Sequence, residues 1–144
     1  MRRTVLVFVF ALILAACGGG TSTPSADEVC EEAPQQVLDY LATGFVNDAI
    51  TFDSGQAVKS GDYPDVWIVA GVLGGADDLI GDADAIGIWA IQAGTWPTDY
   101  VGSVAVDNVA KATSTWGEEG NYVVNRATDG VVQAEACALA SLGG

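Results

Sequence analysis

Val66-Trp67-Ile68-Val69-Ala70-Gly71-Val72-Leu73 is a run of eight uncharged residues, and Ala85-Ile86-Gly87-Ile88-Trp89-Ala90-Ile91 repeats its character a short loop later. Both runs are short, rich in β-branched and aromatic residues, and apolar at odd and even positions alike. A strand exposed on one face would alternate; these do not, so they read as central strands covered on both sides. Val101 to Val106 is a third candidate, shorter and half polar. Acidic or Gly/Pro-containing loops separate the three, which suits an antiparallel meander.

Helical patterns flank this centre. Val29, Cys30, Ala33, Val37 and Leu41 recur at helical spacing behind Ser25-Ala26-Asp27-Glu28, a capping-box sequence. Pro34 interrupts the pattern, so the spacing predicts either a kink or a short helix followed by a second one opening at Pro34, with Gly44 as the stop. Asp107 is placed to cap a helix from Asn108 to Trp116, with Gly117 after it. Asp129 is placed to cap another from Gly130 to Ser141, alanine-rich and therefore helix-leaning, although Val131-Val132 also suits a strand. Phe45 to Pro64 carries little periodicity; Asp53-Ser54-Gly55 and Ser60-Gly61-Asp62 read as turns. The expected fold is a single small α+β domain, about three antiparallel strands packed with N-terminal and C-terminal helices, in the order helix, three strands, helix, helix.

The chain has 144 residues, enough for one domain. Its 19 acidic and 5 basic side chains give a net charge of −14, which argues against nucleic acid as a partner, because a phosphate backbone needs Lys and Arg to neutralise it. There is no histidine, so Ser-His-Asp and Cys-His catalysis and HExxH zinc sites are excluded.

The first residues state an address. Arg2-Arg3 precede an apolar run from Val5 to Ala16. Twelve residues span about 18 Å as a helix, short of a hydrocarbon core of about 30 Å, so the run fits a signal peptide better than a membrane span. It ends in Leu14-Ala15-Ala16-Cys17-Gly18, which resembles the lipobox of bacterial lipoproteins. That resemblance covers about the first twenty residues. It implies cleavage before Cys17, a diacylglycerol on the Cys17 sulfur and usually an acyl chain, such as palmitate, on the new amino group. The alternative is an ordinary secretory peptide that leaves Cys17 a free thiol. The expected organisation is a signal peptide over 1–16, a flexible Gly/Ser/Thr tether over 17–24, and one domain over 25–144. Loss of Arg2 and Arg3 takes the net charge from −14 to −16 and leaves Lys59, Lys111 and Arg126 as the cations.

Few side chains invite a chemical role. Asp77, Asp78, Asp82 and Asp84 lie in one acidic loop and are candidate Ca²⁺ ligands, since Ca²⁺ takes six to eight oxygens. An EF-hand counted from Asp82 fails, because its fifth and twelfth places hold Ile86 and Ala93. The loop also suits a plain role, a solvated spacer between two aggregation-prone strands. Phe52-Asp53-Ser54-Gly55 resembles the aspartic-protease signature, but that chemistry needs a second carboxylate from a second lobe or subunit. Glu118-Glu119 is a carboxylate pair of the kind glycosidases use, but adjacent carboxylates after a helix stop are usually just solvated, and nothing in the sequence raises the glycosidase reading above that. Of four tryptophans, Trp67, Trp89 and Trp116 are expected in the core, whereas Trp96, in Gly94-Thr95-Trp96-Pro97, is a candidate ligand-binding residue.

Once Cys17 is taken by lipid, Cys30 and Cys137 form an even pair in an exported chain, and a structural disulfide between first and last helix is expected. Two buried thiols and a redox pair are the alternatives; the latter lacks a Cys-x-x-Cys motif and a neighbouring cation. These readings imply a lipid-anchored domain on the extracytoplasmic side of the cell membrane, binding or scaffolding a partner without catalysis. A carboxylate-dependent hydrolase and a calcium-responsive surface module are the alternatives.

Overall fold

The computed structural model describes residues 29–75, 81, 85–117 and 122–144. The elements run β1 (Glu31–Glu32), α1 (Gln35–Ala42), β2 (Thr51–Lys59), β3 (Val66–Gly74), β4 (Ile86–Thr95), β5 (Asp99–Ala105), α2 (Asn108–Thr113) and α3 (Val131–Leu142). All five strands pair antiparallel with their chain neighbours in the order β1-β2-β3-β4-β5. The fold is α+β, as expected, with five strands where the sequence suggested three.

The two apolar runs are the central pair, β3 and β4, and their lack of alternation has the expected cause. Val69, Leu73, Trp89 and Ile91 point to one face, into a cluster closed by Val37, Leu38 and Leu41 of α1 and Ala110 of α2. Val66, Ile68, Ala70, Val72, Ile88 and Ala90 point to the other, under Val131, Ala134, Cys137 and Ala138 of α3. Helices therefore cover both faces of the sheet.

Three glycines open room for this packing. Gly55, Gly71 and Gly87 lie opposite one another across β2, β3 and β4, and each borders the α1 side. A methyl group on Gly55 would stand 2.7 Å from Leu38 Cδ2; on Gly71 it would overlap the Phe52 ring, and on Gly87 the Trp89 ring. The rings thus lie across backbone that has no side chains. Gly71→Ala is expected to destabilise the fold by about 1–3 kcal/mol through overpacking, read as a lower urea midpoint at unchanged slope.

Four expectations need correction. First, of the two alternatives for the N-terminal pattern the structure has the second, a helical residue at Val29 and a separate helix opening at Pro34, but between them Glu31 and Glu32 pair with Ala57 and Gln56 as β1. The helix opens directly after Pro34, where proline's fixed φ and missing N–H cost nothing. Val29 and Cys30 consequently pack on the α3 side, while Ala33, Val37 and Leu41 pack on the other. Second, Asp53-Ser54-Gly55 is not a turn but part of β2, where a bulge between Phe52 and Ser54 leaves Asp53 unpaired and exposed. Third, α2 stops at Thr113, short of Trp116. The hydroxyls of Thr113 and Ser114 donate back to Val109 O (2.8 Å) and Ala110 O (2.6 Å), and Thr115 N–H donates to Gly44 O instead of continuing the helix. Fourth, Asp129 does not cap α3. Its carboxylate accepts from Gly61 N–H (3.0 Å), and its own N–H donates to Asp62 Oδ2 (2.8 Å), tying the expected Ser60-Gly61-Asp62 turn to the start of the helix. Gly130, at φ +96°, takes the cap position, and its N–H donates to Gln133 Oε1.

Asp107 does cap α2. Its Oδ1 accepts from Ala110 N–H (2.8 Å) and from Ile88 N–H of β4 (3.1 Å). Burial pushes this carboxyl up, against the two backbone hydrogen bonds that lower it. The folded chain then holds the proton more tightly than the unfolded chain, so this residue's contribution to stability falls as pH rises from about 4 through the folded value. Asp107→Asn keeps an acceptor oxygen and removes the proton. The gap in unfolding free energy between variant and wild type should therefore shift in the variant's favour as pH rises from 3.5 to 7; a pH-independent gap contradicts the assignment.

Candidate functional site

Cys30 and Cys137 are joined by a disulfide, with Cα atoms 6.2 Å apart and the two residues 107 positions apart in sequence. Cys30 stands just ahead of β1 and not on a helix, while Cys137 lies on the buried side of α3. The bond links the chain's entry into the domain to its last helix. Cys17 lies outside the described residues, as do Asp77, Asp78, Asp82 and Asp84 of the acidic loop and the pair Glu118-Glu119. Among the described residues, no group of three or more His, Cys, Asp or Glu side chains is placed to hold a metal.

Trp96 is half-buried. Its ring stacks on Trp67 with centroids 4.4 Å apart and planes 8° from parallel. Its indole N–H donates to Glu31 Oε1 at 2.8 Å. A cis peptide bond joins it to Pro97, whose carbonyl accepts from Gln36 Nε2 and from the Tyr100 hydroxyl. Tyr100 stacks on Tyr40 (4.3 Å), which meets Trp116 (5.1 Å). The β4–β5 turn is thereby fastened to β1 and α1 by an aromatic ledge. One face of Trp96 and its polar edge serve the fold, and Trp67 and Trp116, expected in the core, are half-buried members of the same ledge. Trp89 alone of the four is fully buried.

A cleft of about 350 Å³ lies between the start of α1 and the bulged half of β2. Glu32 and Asp53 bring two carboxylates to it, and Gln35 and Ser54 bring hydrogen-bonding groups. Its chemistry is that of a negatively charged, solvated groove suited to polar or cationic groups. Asp53 sits here on an exposed bulge, unlike the shared-proton carboxylate of an aspartic protease.

A second polar cluster escaped the sequence reading. On the α3 side, Asp65 Oδ2 accepts from Gln92 Nε2 at 2.8 Å, and Tyr122 also hydrogen-bonds Asp65. These hydrogen bonds hold the Asp65 carboxyl below the usual carboxylate range, and Asp65 in turn pushes the Tyr122 phenol up. Tyr122 stacks on Tyr63 at 4.5 Å. Next to them is a cavity of about 30 Å³ lined by Val66, Ala90, Gln92 and Val124 among others, room for about one water molecule. Twenty-seven residues separate Asp65 from Gln92, and only strand register brings them together; Gln92, a lone amide at the end of an apolar strand, was the available signal.

No family model matches the chain, and neither a curated protein nor a solved structure is significantly similar to it.

Proposed function

We propose that this chain is a lipoprotein whose single domain stands on the extracytoplasmic side of a cell membrane, held by lipid on Cys17, and works by binding or scaffolding a partner. The observation that carries this reading is the ordered sequence of basic residues, a twelve-residue apolar run, small residues and Cys17-Gly18. The Cys30–Cys137 disulfide supports it, because such bonds persist in oxidising, exported surroundings. No helix among the described residues is long and apolar enough to cross a membrane.

Cys17→Ser is the direct test. Two or three acyl chains, at about 0.8 kcal/mol per buried CH₂, make attachment effectively permanent. The variant is expected to move from the membrane to the soluble fraction and to lose metabolic fatty-acid label. Labelling unchanged by the substitution refutes the anchor.

A second reading, a carboxylate-dependent hydrolase, draws on Glu32 and Asp53 sharing one cleft. Activity profiling of wild type and Asp53→Asn separates the two: turnover lost in the variant favours the enzyme.

A further inference from the structure

Helix α3 carries three polar side chains, Gln133, Glu135 and Ser141, and they leave an apolar stripe on its exposed side. Its inner face, Val131, Ala134, Cys137 and Ala138, fills the core. At about 100° per residue, Val132, Ala136, Leu139 and Gly143 share one narrow sector of its outer face. Val132 and Leu139 are each 56% exposed. From Val131 to Leu142 the helix carries one charged side chain, Glu135, which pairs with Arg126. An exposed apolar stripe rimmed by polar residues is the form an interaction surface takes.

Position, charge and area together indicate what covers this one. Cys137 is bonded to Cys30, and Cys30 lies thirteen residues after Cys17. That length of chain reaches at most about 45 Å, so a lipid on Cys17 confines α3 to the neighbourhood of the bilayer. The rest of the molecule is strongly acidic and is repelled by anionic headgroups, whereas the outer face of α3 is uncharged. A twelve-residue helix is about 18 Å long, and a stripe about 10 Å wide along it offers on the order of 180 Å². A specific protein partner takes about 800 Å² per side. Contact with a surface to which the chain is already tethered needs far less, because the tether sets the effective concentration.

We infer that the outer face of α3 rests on the membrane interface, with Val132, Ala136 and Leu139 at the headgroup–acyl boundary. The inference rests on the lipid-anchor reading of Cys17.

The four native tryptophans all belong to the opposite side of the sheet, so a tryptophan added on α3 reports separately. The test uses the full lipidated chain in phosphatidylcholine vesicles brominated on their acyl chains, with Leu139→Trp compared against Val46→Trp, an exposed position on the α1 side. The added tryptophan at 139 is expected to lose at least half its fluorescence to the brominated lipid, and that at 46 little. Equal quenching of the two in a chain that floats with the vesicles overturns the docking and leaves the anchor standing. A chain that does not float overturns the anchor, and the docking with it. Equal quenching together with crosslinking between two α3 helices gives the face to a second copy of the chain instead.

Discussion

Removing the Cys30–Cys137 disulfide, by Cys30→Ala with Cys137→Ala, is expected to cost about 4–5 kcal/mol of folding stability. The bond closes a loop of 107 residues, and the chain-entropy model assigns a loop of that size about this much. Against a typical total of about 5–15 kcal/mol, the loss takes a domain of this size close to unfolding. The effect should be uneven. β1 is held to the sheet through two residue pairs, Glu31 with Ala57 and Glu32 with Gln56, so the unbridged chain should first lose amide protection at 29–32 and around Cys137. Urea unfolding of the double variant and hydrogen exchange under reducing conditions measure the two parts. Intact mass of the non-reduced protein should lie two hydrogens below the dithiol form. A double variant as stable as wild type would remove the disulfide from the account of stability.

Trp89→Ala should be comparably severe, at about 3–5 kcal/mol. Trp89 is the largest side chain with no exposure at all. It packs between Phe52, edge to face at 5.3 Å, and Phe45 at 6.1 Å. Its indole N–H donates to Ser114 Oγ at 3.1 Å, and that hydroxyl donates on to Ala110 O. Truncation therefore opens a cavity against the sheet and removes the indole donor from a buried hydroxyl at the end of α2. Trp89→Phe keeps most of the apolar volume and should recover more than half of the loss. Urea midpoints of the two variants against wild type give the comparison; equal losses would assign the cost to the hydrogen bond alone.

What the sequence disclosed follows from where burial and polarity coincide. β3 and β4 were legible because both of their faces are covered, which leaves no polar position to obscure the run. The Asp107 cap and the alanine-rich α3 were legible because each depends on neighbours close in sequence. β2 was not, because its buried positions include Gly55, which reads as a turn residue although Leu38 packs against it, and because its bulge carries an exposed aspartate. β1 was hidden inside a helical spacing that runs on past Pro34 to Leu41. Asp129 misled for another reason: its carboxylate answers a backbone N–H 68 positions away, at Gly61. The Asp65–Gln92–Tyr122 cluster is equally non-local, assembled by register and by the chain folding back over the sheet.

The glycine row across β2, β3 and β4 bears on how this sequence can drift. At Gly71 and Gly87 the space a side chain would take is occupied by a ring from elsewhere, Phe52 and Trp89 respectively. Each glycine and its ring therefore form one unit of inheritance: enlarging the glycine is tolerated only after the ring has shrunk, and shrinking the ring first opens a void that a larger residue at the glycine can fill. Substitutions at 71 with 52, and at 87 with 89, should be strongly epistatic. Among divergent descendants of this chain, small residues at 71 and 87 should accompany aromatic residues at 52 and 89, and larger ones should appear only where the aromatic has been lost.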